Sequence, residues 1–115
     1  MAAKARRLVE RADEGEVLLV VLPVIVAETF YTLESYYEMP HKEVAAKLHA
    51  FLQSRGIAAV EPVRIADALK RCHDRNAHFA DAYLAASAVE LGDPIASFDR
   101  DFDNFKDVQR IEPKA

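Results

Sequence analysis

Apolar residues recur along this chain in two patterns, and the alternation between them outlines the fold. Helical spacing comes first. Ala5, Leu8, Val9 and Ala12 repeat every three or four residues between charged ones, predicting a helix over residues 2–13 that stops at Glu14-Gly15. Glu16–Leu22 (EVLLVVL) is then a continuous, Val-rich apolar run, short enough for a strand buried on both faces of a parallel sheet. Pro23 follows at once, where a helix would place its first residue. The spacing predicts a helix over 23–38 with Val26, Phe30, Leu33 and Tyr37 inward, ended by Met39-Pro40. A second amphipathic helix, 41–54, turns Val44, Leu48, Phe51 and Leu52 inward and stops at Arg55-Gly56.

The pattern then repeats. Ile57–Val60 reads as a strand closed by Glu61-Pro62. Helices follow over 63–74 (Ile65, Ala66, Leu69 and Cys72 inward) and 78–91, the latter ending at Gly92 with Pro94 beyond. Ile95–Phe98 is a very short strand, Asp99–Phe105 a loop or single turn, and Val108–Ile111 a possible edge strand. Strands alternating with helices, with no hairpin signal before the end, predict an α/β fold with a mostly parallel sheet. No repeat, linker or low-complexity stretch divides the chain, so 1–115 reads as one domain.

Composition narrows the class. About half the residues (51%) are hydrophobic and 30% are charged, which suits a globular protein with one real core. The formal net charge of −4 argues against nucleic-acid binding by backbone charge alone. It does not exclude a nucleic-acid substrate if divalent metal neutralises some carboxylates. With Cys72 as the single cysteine, no intrachain disulfide is possible, and the chain fits a reducing cytoplasm. That thiol is better read as a small packed side chain than as a nucleophile. The N-terminus lacks the apolar core of a signal peptide, and no apolar run approaches a membrane span.

Three carboxylates stand out because each is attached to apolar structure. Glu28 is the one charge in Val21–Leu33 (VLPVIVAETFYTL), Asp81 opens HFADAYLAASAVEL, and Asp99 ends PIASFD. In parallel sheets, ligands bind beyond the carboxyl ends of the strands, where helices begin. Glu28 lies in a helix that directly follows a strand, Asp81 in the first turn of a helix, and Asp99 at a strand end, so all three belong to one edge of such a sheet. Clustered carboxylates raise one another's pKa unless a cation joins them. Hard oxygen donors select Mg²⁺ or Mn²⁺, and an ion there suits phosphodiester hydrolysis.

Simpler roles compete. Asp81 could serve only the helix dipole, and Glu28 could reach solvent or pair with an arginine. Asp99, Asp101 and Asp103 alternate as in a calcium loop, but Asn104 stands where an EF-hand needs Gly and Arg110 where it needs Glu. Asp101 and Asp103 then fit a charged turn. His41, His49, His73 and His78 form no metal-binding spacing and read as surface residues.

Taken together, VLPVIVAETFYTL, FADAYLAASAVELG and IASFDRDF resemble, in order and spacing, the PIN domain family, in particular the VapC-type toxins of bacterial toxin–antitoxin pairs. The resemblance implies a Rossmann-like α/β/α sandwich and a Mg²⁺- or Mn²⁺-dependent ribonuclease. Glu28, Asp81 and Asp99 match its acidic positions, Asp101 would be a further metal ligand, and Ser97 matches a hydroxyl near the site. It also implies a homodimer and a cognate antitoxin protein. One departure is that the family's central first strand, which carries its first acidic residue, is not matched in this sequence. The sheet would then close up, or take a strand from elsewhere. Two expectations follow: a ribonuclease, or a non-catalytic PIN-like module for binding or dimerisation. A response-regulator-like flavodoxin-type domain is the weaker third, since no Asp directly follows the first visible strand and no Lys follows the last at the expected place.

Overall fold

The computed structural model describes residues 2–114. Ten elements follow one another: α1 (Ala2–Asp13), β1 (Leu19–Val21), α2 (Pro23–Ser35), α3 (His41–Leu52), β2 (Ile57–Ala59), α4 (Pro62–Arg75), α5 (Phe79–Leu91), β3 (Ile95–Ala96), a single 3₁₀ turn (Arg100–Asn104) and β4 (Arg110–Ile111). The α/β alternation is as expected. The helix ends follow local chemistry. Pro23 and Pro62 open α2 and α4, and Gly92, in the left-handed conformation, closes α5.

Every strand pair is parallel, but among the described residues the strands form no continuous sheet. β1 pairs with β2, in the register Leu19 to Ile57 and Val21 to Ala59. β3 pairs with β4, Ile95 opposite Arg110. Among the described residues β1 and β3 do not pair, so the sheet is two half-sheets and does not close up. The strands are also shorter than the apolar runs that contain them.

The main core lies where α4 packs along α3 and α5, with α2 closing it. Val26, Phe30, Val44, Leu48, Ile65, Leu69, Cys72, Phe79 and Ala82 are buried together there. A smaller core of Ala85, Ala88, Ile95, Phe102 and Phe105 seats β3 and the 3₁₀ turn against α5. The alanines of α5 let these neighbours approach closely. Gly56 brings α1 to β2. Its φ is +80°, and a Cβ there would lie 2.2 Å from the Ala12 carbonyl oxygen.

Burial differs from expectation on one side. The strand expected to be covered on both faces exposes Leu18, Val20 (61%) and Leu22. Leu8 and Val9 of α1 are exposed as well, and among the described side chains of that helix Ala12 alone is buried. The cause is that no described helix layer covers this side. The molecule is accordingly elongated, with a radius of gyration of 15.9 Å, against about 13 Å for a compact chain of this length. Tyr37 was expected inward, but α2 ends at Ser35 and the ring, now beyond the helix, is exposed.

Candidate metal centre

α5 begins after His78, and its first turn presents Asp81 half-buried. β3 ends at Ala96, and the backbone then turns through Ser97 to Asp99. The Asp99 N–H donates to Ser97 Oγ at 3.0 Å, and the Asp99 carboxylate in turn accepts the Asp101 N–H at 2.9 Å. These bonds start the 3₁₀ turn and fix the direction of the Asp99 side chain. Ser97 Oγ thus holds the Asp99 backbone, two residues on.

The two segments converge. Asp81 and Asp101 line one cleft of about 200 Å³, together with Arg75, His78 and Asn104. Burial raises the pKa of Asp81, the Asp99 charge raises it further, His78 offsets part of this, and Asp101 adds to it. A carboxylate disfavoured both by desolvation and by two like charges is a place where a cation gains the most. Carboxylate oxygens are donors for a hard divalent ion, but Asp81, Asp99 and Asp101 do not bring three ligand atoms within 4.8 Å of one another.

Glu28 stands apart. It is exposed on α2 and is not among the charges that bear on Asp81. It shares its helical face with Val24 and Tyr31, both exposed, whereas Val26 and Phe30 turn into the core. The desolvation cost expected of a charge within an apolar segment is thus not incurred at Glu28. Cys72 is buried and its thiol is pushed up to about 12, chiefly by that burial and then by the Glu34 charge. It is a packed, protonated side chain, as expected.

A family model described as PIN domain matches residues 1–108. The chain belongs to the PIN domain family. PIN domains are generally nucleases that need divalent metal ions and bind RNA, and an α/β fold with short parallel strands is consistent with theirs. No curated protein and no solved structure matches the chain. No helix among the described residues is long and apolar enough to cross a membrane.

One group of side chains here had no signal in the sequence. Glu34 of α2, His41 at the start of α3 and His78 before α5 bring their ligand atoms within 4.8 Å of one another. Their numbers are far apart and their spacing matches no motif. His41, expected at the surface, is in fact largely covered, its side chain being 17% exposed.

Proposed function

We propose that this PIN domain is a Mg²⁺- or Mn²⁺-dependent ribonuclease, the toxin of a toxin–antitoxin pair, acting in the cytoplasm. The observation that carries the reading is Asp81, held half-buried against the charges of Asp99 and Asp101. Asp81 and Asp99 would hold the ion, with Asp101 as a further ligand. Glu28, the third carboxylate of the family pattern, would have to reach them from the exposed face of α2 on which it stands apart. When bound, such an ion supplies a more acidic water and stabilises charge at the phosphodiester.

The chain's own residues do the rest. Ser97 and the Asp101 N–H keep Asp99 aimed. Arg75, in the cleft, and Arg100, beside Asp99, offer positive charge to the RNA backbone. Tyr31, Tyr36 and Tyr37, from 62% to 78% exposed, offer an aromatic surface for a homodimer or for an antitoxin. The test is cleavage of RNA with and without Mn²⁺. Activity that requires the ion and disappears in Asp81→Asn and Asp99→Asn supports the reading; cleavage by either variant at the wild-type rate ends it.

A second reading is a non-catalytic PIN-like module for binding or dimerisation. It is favoured by the exposed Glu28, by the half-sheets that do not join, and by the uncovered side of β1. Metal-dependent cleavage that Asp99→Ala abolishes eliminates it.

A further inference from the structure

We propose that Glu34, His41 and His78 form a second cation site, for a borderline transition metal such as Zn²⁺, distinct from the aspartate centre. The argument begins with His41. Its Nδ1 lies 3.2 Å from the Asn76 carbonyl oxygen. A carbonyl can only accept, so Nδ1 carries a hydrogen and donates it. In the neutral ring Nε2 is then left with a lone pair, and Nε2 faces Glu34 Oε2. Two lone pairs directed at each other require a cation between them, either a proton or a metal. The arrangement on the far side of the ring, Nδ1–H to a backbone carbonyl, is the usual outer support of a metal-binding histidine.

Glu34 gives the second observation. Its side chain is 14% exposed, and Oε2 is buried without a hydrogen-bond partner. The contact to His41 satisfies it when Nε2 carries a proton, and with the ring neutral the oxygen is left without a donor. A buried carboxylate oxygen with no donor is costly unless something compensates it. His78 completes the set, with Nδ1 3.5 Å from Glu34 Oε1. Ligands about 2.0–2.1 Å from a tetrahedral ion stand about 3.3 Å apart, so His78 and Glu34 already have that spacing, whereas His41 and Glu34 must move apart to admit the ion. Two imidazoles and one carboxylate are a zinc donor set, softer than the three aspartates. A cavity of about 830 Å³, lined by Phe30, Glu34, His41 and His78 among others, leaves a fourth position accessible.

The ion would fasten the end of α2, the start of α3 and the residue that opens α5. His78 also lines the Asp81 cleft, so the fastening reaches the first turn that carries Asp81. The site shares no ligand with Glu28, Asp81, Asp99 or Asp101, so either centre can fail without the other.

The test is titration of the full chain with Co²⁺ and Zn²⁺ alone, read by visible absorption and by calorimetry. One Co²⁺ bound with the intense visible bands of a tetrahedral site, displaced by one Zn²⁺, is expected for the wild type and equally for Asp99→Asn. Losing an outer partner of a metal ligand costs 10–100-fold in affinity, so losing a ligand should exceed about 100-fold in Glu34→Gln and in His78→Gln. His78 is 68% exposed, so H78Q keeps the fold even if variants of the packed Glu34 and His41 do not. Absence of tetrahedral bands, unchanged affinity in H78Q, or loss of binding in D99N overturns the proposal.

Discussion

Asp107 grips the guanidinium of Arg71 with both carboxylate oxygens, at 2.8 and 2.5 Å. Arg71 is the one buried charged residue on α4, and Asp67 accepts from its other side at 3.2 Å. The guanidinium also lies 5.4 Å from the centre of the Phe105 ring. This cluster anchors the segment after the 3₁₀ turn to the main core, and so supports the loop that carries Asp99 and Asp101. Asp107→Ala leaves a buried cation with one weaker partner. The expected cost is about 1–3 kcal/mol, seen as a drop in Tm of several degrees.

The same pair sets a pH dependence. Arg71 holds the Asp107 carboxyl below its ordinary value. A depressed folded pKa means stability present above the unfolded value and lost as the pH falls through the folded one. Thermal melts taken downward from pH 5 should show the wild type losing Tm faster than Asp107→Asn. Parallel curves would mean that the ion pair contributes nothing, as is common for exposed pairs.

Gly56→Ala tests how α1 is held. The new methyl meets the Ala12 backbone at 2.2 Å, and the φ of +80° is unfavourable for any side chain. Left-handed strain alone costs about 1–3 kcal/mol. Because the obstacle is backbone, α1 must shift away from β2. Far-ultraviolet circular dichroism should show the helix content largely kept while Tm falls.

Much of this was legible because its causes are local. The Val-rich run before Pro23, the Gly92 stop and the alternating elements each depend on neighbours in sequence. That Asp81 and Asp101 line one cleft was legible too, because a helix start and the turn after a strand end in a parallel α/β chain face the same side. That β1 and β3 do not pair was not, since it depends on residues some 75 positions apart and on what lies between the half-sheets. Nor was the Glu34–His41–His78 group, whose members are joined only when α2, α3 and α5 pack around Phe30. Glu28 drew attention as the charge within an apolar segment. The covered carboxylate of α2 is instead Glu34, one and a half turns later, because the inward stripe of Val26 and Phe30 leads toward it.

Asp81→Asn separates burial from metal binding. The folded pKa of Asp81 is raised, first by burial and then by Asp99. An ionised Asp81 therefore costs stability above that pKa, and the cost disappears as the pH falls through it. Without metal at neutral pH, the Asn variant should melt at or above the wild-type temperature. With millimolar Mn²⁺ the order should reverse. The wild type gains about 2.7 kcal/mol when the ion is at 100 times its Kd, and the variant gains little. A variant that is less stable in both conditions would make Asp81 a structural residue.

The uncovered side of the molecule predicts where it opens. Of α1, Ala12 is buried while Leu8 and Val9 are exposed, and Val20 of β1 is exposed as well. Local stability follows buried apolar contact, so α1 should open at a free-energy cost well below that of global unfolding. α4 and α5, which share most of the core, should open only with the whole domain. Hydrogen exchange followed by mass spectrometry should find α1 amides exchanged long before those of Ile65–Cys72. Protection of α1 and β1 that rises with protein concentration would identify a second copy as what covers this face. Protection independent of concentration would mean that α1 is held more firmly than Ala12 and Gly56 alone account for.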